Sequence, residues 1–376
     1  MQLTRVPLED WMRHYYFDTP IDLGSSGVYP YSFAEFKRIT GFRDEALDAL
    51  VFDDSDTMGA VGLRAAIADR WGDGDPDNVM VANGSNDASF LAMVGLLEAG
   101  DEVVVLDPIY HTLGSLLVSI GCQVKTVPLL WENQFAPNMD DMLAAIGPRT
   151  RMVVVNFPHN PTGVSISRTQ QLRLIDACDK VGAYLVWDGA FHDLTFEAHQ
   201  LPLPFPEYER AIVIGTMSKA YGMPGIRVGW CIGQAAHLAP CMLWKDYTSL
   251  YVSPWVEIVA QHAIAHADAL CAPRKKEALE NFAYLERWLD TQREHIAWTK
   301  PQGGVTAFIR FHHIDNTEPF CRSLAETCGV MLVPGTAFNN PKHARLGFAG
   351  PSKSFRKGLE LLGSHCAASC PTHSPG

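Results

Sequence analysis

A lysine delivered by an apolar strand into small hydroxyl residues suits carbonyl chemistry. Lys219 stands in Thr216-Met217-Ser218-Lys219-Ala220-Tyr221-Gly222, with Arg227 eight residues further on. Its amine can form a Schiff base, and the hydroxyls and guanidinium can hold a phosphate dianion. Three more segments fit the same chemistry. Asn156-Phe157-Pro158-His159-Asn160-Pro161-Thr162-Gly163 follows the apolar run 152–155. Asn-Pro-Thr-Gly is a turn by composition, which puts Asn160 at a strand's carboxyl end, where open α/β sheets bind ligands. Asp188 ends the apolar run from Ala183 to Trp187. A buried aspartate there needs a partner, and a pyridinium nitrogen is a good one. Finally, 79–87 reads as a strand, a turn at Gly84-Ser85-Asn86, and a helix start. Backbone N–H groups at such a start attract phosphate.

In this order and spacing the four segments resemble the fold-type I pyridoxal 5'-phosphate enzymes of the aspartate aminotransferase superfamily, class I/II. The resemblance covers nearly the whole chain. It implies that Lys219 carries the cofactor, that Asp188 pairs with the pyridine nitrogen and that Asn160 contacts the ring's phenolic oxygen and the substrate. It implies Tyr110, in Asp107-Pro108-Ile109-Tyr110, stacked on the ring as a catalytic partner of Lys219 and Asp188. Gly84, Ser85, Asn86, Thr216, Ser218 and Arg227 would hold the phosphate, and Arg345 the substrate α-carboxylate. Two places depart from the aminotransferase pattern. Phe191 stands where that pattern has a tyrosine three residues after the aspartate, removing a hydrogen bond to the cofactor oxygen. The segment before Gly59 offers Phe52 as its nearest aromatic, where a tyrosine usually reaches the partner subunit's phosphate.

A narrower resemblance rests on Pro7-Leu8-Glu9-Asp10-Trp11, Ser25-Ser26-Gly27-Val28, Trp187-Asp188-Gly189-Ala190-Phe191 and Gly303-Gly304-Val305-Thr306. These look like the hydroxyarginine cyclases of the capreomycidine synthase group. That implies water loss from a hydroxylated L-arginine and closure to a cyclic guanidine amino acid, of capreomycidine or enduracididine type, in antibiotic or toxin biosynthesis. The substrate hydroxyl can sit on Cβ or Cγ. Glu9, Ser26 and Gly27 are expected at the substrate, Glu9 toward the guanidinium, because a carboxylate accepts two parallel hydrogen bonds. Helix opening is the other reading of Glu9 and Asp10. His14, Tyr15, Tyr16, Tyr29 and Tyr31 are lid candidates, and His159 a candidate proton relay. An ordinary aminotransferase and an arginine oxidase remain alternatives.

The bulk properties agree. The 376 residues are 47% hydrophobic and 19% charged, with a formal net charge of −12. That charge argues against nucleic acid as a partner and suits a cationic substrate. No run approaches the ~18 apolar residues of a membrane span, and no signal peptide is visible. The nine cysteines are scattered. His365, Cys366, Cys370 and His373 read as a terminal tail rather than a metal knuckle, so no metal is expected. A cytoplasmic enzyme is expected, as a homodimer by the resemblance.

The expected class is α/β, with a large domain on a mostly parallel seven-stranded sheet and a smaller α+β C-terminal domain. Residues 1–40 read as an irregular N-terminal arm and substrate lid, 41–255 as the large cofactor-binding domain, and 256–376 as an interdomain helix and the small domain. Strands are expected at 79–83, 102–107, 124–129, 152–157, 184–188, 212–215 and 228–232, alternating with helices at 58–71, 88–99, 111–120 and 168–181. Residues 255–294 read as one long helix kinked or broken at Pro273. Strands at 304–311 and 330–333 belong to the small domain.

Overall fold

The computed structural model describes residues 3–369. Seven strands form its largest sheet, in the order Val79–Ala82, Gly229–Ile232, Ala211–Thr216, Tyr184–Asp188, Thr150–Asn156, Glu102–Asp107, Gln123–Pro128. Only Gly229–Ile232 runs against its neighbours; the other six share one direction. Six carboxyl ends therefore meet on one edge, joined by the amino end of Gly229–Ile232. That reversal brings Arg227 to the same edge as Lys219.

The central strands are apolar throughout because both faces are covered. Val79, Val81, Val153, Val155 and Trp187 pack into one core. Met80, Ala82, Met152, Val154 and Val186 pack into the other. Strands and helices lie close to the expected ones, and Glu102–Asp107, Tyr184–Asp188, His111–Ile120 and Arg168–Val181 match them end to end. Arg168–Val181 opens on a capping box between Ser167 and Gln170 and stops at Gly182, φ 69°. Ser85–Leu96 begins one turn earlier than expected, at Gly84 with φ 89° and no side-chain cap. Its first N–H groups stay open to a ligand.

Three expectations are corrected. The stretch after Trp255 forms two helices, Pro254–Ala265 and Ala267–Thr291, and the break is at His266 rather than Pro273. The His266 ring nitrogen Nδ1 lies 2.9 Å from the His262 carbonyl and takes over that acceptor. Pro273 costs the second helix one backbone hydrogen bond without ending it. Residues 330–333 are two short strands. Val330–Met331 pairs in parallel with Ile21–Asp22, and Val333–Pro334 joins a four-stranded antiparallel sheet with His343–Gly347, Thr306–Phe311 and Ile296–Trp298. Between them, the Leu332 carbonyl turns to accept from Trp11 Nε1 at 2.8 Å.

The arm is not irregular. Pro7–Tyr15 is a helix that buries Leu8, Trp11 and Tyr15 on one face, and Phe33–Thr40 is a second, opened by a Ser32–Glu35 capping box. Proline in the first turn and acids beside it favour the first helix. Cys370 and His373 lie outside the described residues.

Gly229 sits where a Cβ would come within 2.5 Å of both Gly84 C and Ser85 N. Gly229→Ala should therefore push the helix start out of place and destabilise the protein by about 1–3 kcal/mol, read from urea unfolding.

Candidate active site

The strand ends deliver their side chains into one cavity of about 740 Å³. From the sheet edge it receives Ser85, Asn86, Tyr110, Asn160 and Asp188. Ser218, Lys219 and Arg227 enter from the loop after Ala211–Thr216, Arg345 from the small sheet, and Glu9, Ser26 and Gly27 from the arm. Gly84 and Thr216 stand just behind this lining. The cavity thus brings together the expected site residues other than Gly84 and Thr216.

Beside Gly84, Arg227 Nη1 donates to Ser218 Oγ at 3.3 Å, and its Nη2 to the Asn83 carbonyl at 3.4 Å. Thr216 Oγ1 is 3.1 Å from Ser218 Oγ and accepts from Ser218 N at 3.1 Å. A Cβ on Gly84 would collide with the Arg227 guanidinium. Glycine there lets a cation, two hydroxyls and an uncapped helix start converge. That is a built cradle for a dianion.

Beside Asp188, Asn156 organises the turn. Its Nδ2 donates to the Asp188 carbonyl at 3.0 Å, and its Oδ1 accepts from Asn160 N at 2.8 Å. Asp188 Oδ1 accepts from Ala190 N at 2.9 Å. Among the described residues Asp188 has no ion-pair partner. Burial pushes its carboxyl up to about 6, against the Ala190 N–H and the Lys219 charge. An acid buried in this way fits a ring nitrogen that carries a proton. Tyr110 OH donates to Asn86 Oδ1 at 3.2 Å, and burial raises the phenol to about 12. The donor set fits pyridoxal 5'-phosphate at both ends.

Lys219 Nζ donates to Ser26 Oγ at 2.9 Å and lies 5.7 Å from the centre of the Phe191 ring. Burial, then the Arg345 charge, lowers the amine to about 8. Arg345 is buried and lowered to about 10 by desolvation. It donates from Nε and Nη2 to the Gly24 carbonyl, at 3.1 and 2.8 Å, and from Nη1 to Asn160 Oδ1 at 3.3 Å. Three of the five N–H groups an arginine carries are used, which leaves one on each terminal nitrogen for a carboxylate.

The arm decides between its two acids. Asp10 is held by Arg5 and Arg13. Glu9 lines the cavity, 3.6 Å from His111 Nε2. Asp22 is a cavity acid that the sequence reading missed. Its Oδ1 accepts from Gly24 N and Ser25 N, at 2.7 and 2.9 Å. Of the lid candidates, Tyr16 and Tyr29 line the cavity, as does Phe17. Tyr15 packs inward, with its OH 3.1 Å from Glu326, and Tyr31 OH donates to the Leu270 carbonyl. His14 packs edge-on against Tyr15. His159 is no relay to the cavity: Nδ1 meets Thr162 Oγ1 at 2.7 Å and Nε2 the Pro108 carbonyl at 2.8 Å. Burial keeps its ring neutral, down to about 4. It straps the Asn160 turn to the loop that carries Tyr110. Among the described residues no His, Cys, Asp and Glu cluster has the form of a metal site.

The family model for aminotransferase class I and II matches residues 41–361, and the chain belongs to that family. It is 42% identical over 372 residues to a capreomycidine synthase from Streptomyces vinaceus, covering 96% of this chain and 95% of that one. It is 30% identical to an arginine–pyruvate transaminase from Pseudomonas aeruginosa, over 86% of this chain and 85% of the relative. The crystal structure of the PLP-dependent cyclase OrfR superposes with a TM-score of 0.93 at 39% identity, covering 98% and 99% of the two chains. The fold is that of the fold-type I pyridoxal phosphate enzymes, and the cofactor is pyridoxal 5'-phosphate.

A lysine lowered to about 8 is a neutral nucleophile sooner than a free lysine. Capture of pyridoxal 5'-phosphate by the cofactor-free protein should accelerate as pH rises through about 8 and then level off. The absorbance change should be absent in Lys219→Ala; a rate that keeps climbing toward the ordinary lysine range would contradict the lowered value.

Proposed function

We infer that this member of the class I and II aminotransferase family removes water from a hydroxylated L-arginine and closes the guanidine onto the carbon thereby made electrophilic. The product is a cyclic guanidine amino acid of capreomycidine or enduracididine type, the kind of unit built into antibiotics and toxins. The observation that carries the reading is the cavity's polarity. Arg345 lines the cavity together with two acids supplied by the arm, Glu9 and Asp22. A zwitterionic amino acid with a cationic tail matches that layout. The similarity to capreomycidine synthase and to the OrfR cyclase supports it.

Bound pyridoxal phosphate supplies an electron sink for the α-carbon. The chain supplies the rest. Arg345 grips the α-carboxylate with its two uncommitted N–H groups, a charge-assisted pair. Glu9 and Asp22 accept from the guanidinium. Lys219 takes the α-proton, its amine neutral near pH 8. Asp188 holds the proton on the ring nitrogen, Asn160 and Tyr110 orient the ring, and Gly84, Ser85, Asn86, Thr216, Ser218 and Arg227 fix the phosphate. Phe191 is 2% exposed and offers no hydroxyl. Holding the guanidine close to the electrophilic carbon makes the attack intramolecular, which carries a large proximity advantage.

The same reading includes a homodimer acting in the cytoplasm. Val51, Phe52, Leu243 and Tyr247 are apolar and more than half exposed, up to 93% for Phe52. Large side chains exposed to that extent suit burial against a second copy. No described helix is long and apolar enough to cross a membrane.

Purified holoenzyme given 3-hydroxyarginine and 4-hydroxyarginine separately, without oxo acid, should release one water from one of them and yield a cyclic amino acid by mass spectrometry and NMR. Lys219→Ala should yield none. Amino transfer only after an oxo acid is added would return the enzyme to transamination, and peroxide formed on arginine would make it an oxidase. Glu9→Gln should raise KM about tenfold, as expected for a lost charged hydrogen bond, with kcat nearly kept. An unchanged KM would remove Glu9 from the guanidinium.

A further inference from the structure

Residues 22–28 form a strap drawn tight across the catalytic lysine. At one end Asp22 Oδ1 caps Gly24 N and Ser25 N, and the Gly24 carbonyl takes two bonds from Arg345. At the other end Val28 N donates to the Lys219 carbonyl at 3.4 Å. The strap lies closely on its neighbours. A Cβ on Gly347 would strike the Ser25 carbonyl, and one on Gly27 would come within 3.1 Å of the Ser218 carbonyl and 3.8 Å of Lys219 Cδ. The residue held between these points is Ser26, 8% exposed, lining the cavity with Oγ 2.9 Å from Lys219 Nζ. Among the described residues Ser26 Oγ makes no other hydrogen bond. It accepts from the lysine and keeps its own proton to give.

The reaction inferred above needs such a proton. Hydroxide leaves carbon poorly unless it is protonated as it goes. Several polar groups around the cavity have other tasks in that reading: Asp188 at the ring nitrogen, Glu9 and Asp22 at the guanidinium, Arg345 at the carboxylate, and Tyr110 donating to Asn86. We propose that Ser26 is a catalytic residue that carries a proton from Lys219 Nζ to the departing hydroxyl of the substrate, an inference resting on the substrate reading given above. When the Cα–H bond breaks, its proton goes to Nζ. When the C–O bond breaks, the oxygen leaves with the electron pair and takes the Ser26 hydroxyl proton, while Ser26 Oγ takes one from Nζ. One water is lost, Lys219 and Ser26 return to their starting protonation, and no outside acid is consumed.

The test compares Ser26→Ala and Ser26→Thr with the wild-type holoenzyme, on whichever hydroxyarginine the wild type cyclises. In Ser26→Ala, kcat for water release should fall about 100-fold, within the range for a lost general acid, with KM within about twofold. Deuterium exchange at Cα of plain arginine, which has no hydroxyl to lose, should fall far less. Ser26→Thr, which keeps the hydroxyl, should recover most of kcat. In the cofactor-free protein carrying lysine labelled with carbon-13 at Cε, the Lys219 titration should move to lower pH in Ser26→Ala, because a hydroxyl that accepts from the ammonium stabilises it. An unchanged kcat in Ser26→Ala, an equal loss of Cα exchange, or an unmoved lysine titration would each overturn the role of Ser26. A wild type that releases no water from either hydroxyarginine would overturn the substrate reading, and this step with it.

Discussion

Charge taken out of water has to be answered by other charge or by hydrogen bonds, and otherwise it is driven toward neutrality. Three ionisable side chains meet that constraint at one edge of the sheet. Lys219 is lowered to about 8, Arg345 to about 10, and Asp188 is raised to about 6, with burial the leading cause each time. The rest of the architecture serves to make this arrangement tolerable. Parallel strands bring the carboxyl ends together, and the one reversed strand adds Arg227. Asn156 holds the Asp188 backbone, while the Gly24 carbonyl and Asn160 satisfy most of Arg345. A ligand bearing a dianionic phosphate, a protonated ring nitrogen and a carboxylate on its reaction partner supplies the charges the site lacks.

The large-sheet elements were legible because each is a long apolar run with punctuation at its ends. Tyr184–Asp188 and Arg168–Val181 match their expected limits, the helix bounded by a capping box and a left-handed glycine. What escaped depends on partners far away in the chain. The break at Leu332 follows from Trp11, 321 residues earlier, claiming its carbonyl. The helix at His266 ends through a side chain bonding a carbonyl four residues back, which no hydrophobic period records. The arm's first helix was written in the spacing of Leu8, Trp11 and Tyr15, but its aromatic and proline content masked the period.

The site was legible in the same uneven way. Lys219, Asp188, Asn160 and Tyr110 sit at strand ends beside turn signals, so their meeting in one cavity could be anticipated. Asp22 carries no local signature. It faces the cavity only because Ile21–Asp22 pairs with Val330–Met331 across the length of the chain. His159 misled by adjacency: it neighbours Asn160 in sequence, but both ring nitrogens point to the loops behind it. Glu9 and Asp10 are adjacent too, and a pair of arginines, invisible as partners in the sequence, separates their roles.

The arm is sewn into the molecule rather than hung on it. Ile21 N bonds the Gly329 carbonyl, Leu23 N bonds Met331, Gly347 N bonds Leu23, and Tyr31 N bonds Gly222. Opening the site by swinging this backbone would break a sheet edge and the grip of Arg345 on Gly24 at once. The exposed groups at the mouth are Phe17, 86% exposed, and the partly exposed rings of Tyr16 and Tyr29. Exposed side chains reorient in picoseconds to nanoseconds, backbone segments far more slowly. The mouth can thus change shape by ring rotation while the backbone around it stays bonded in place.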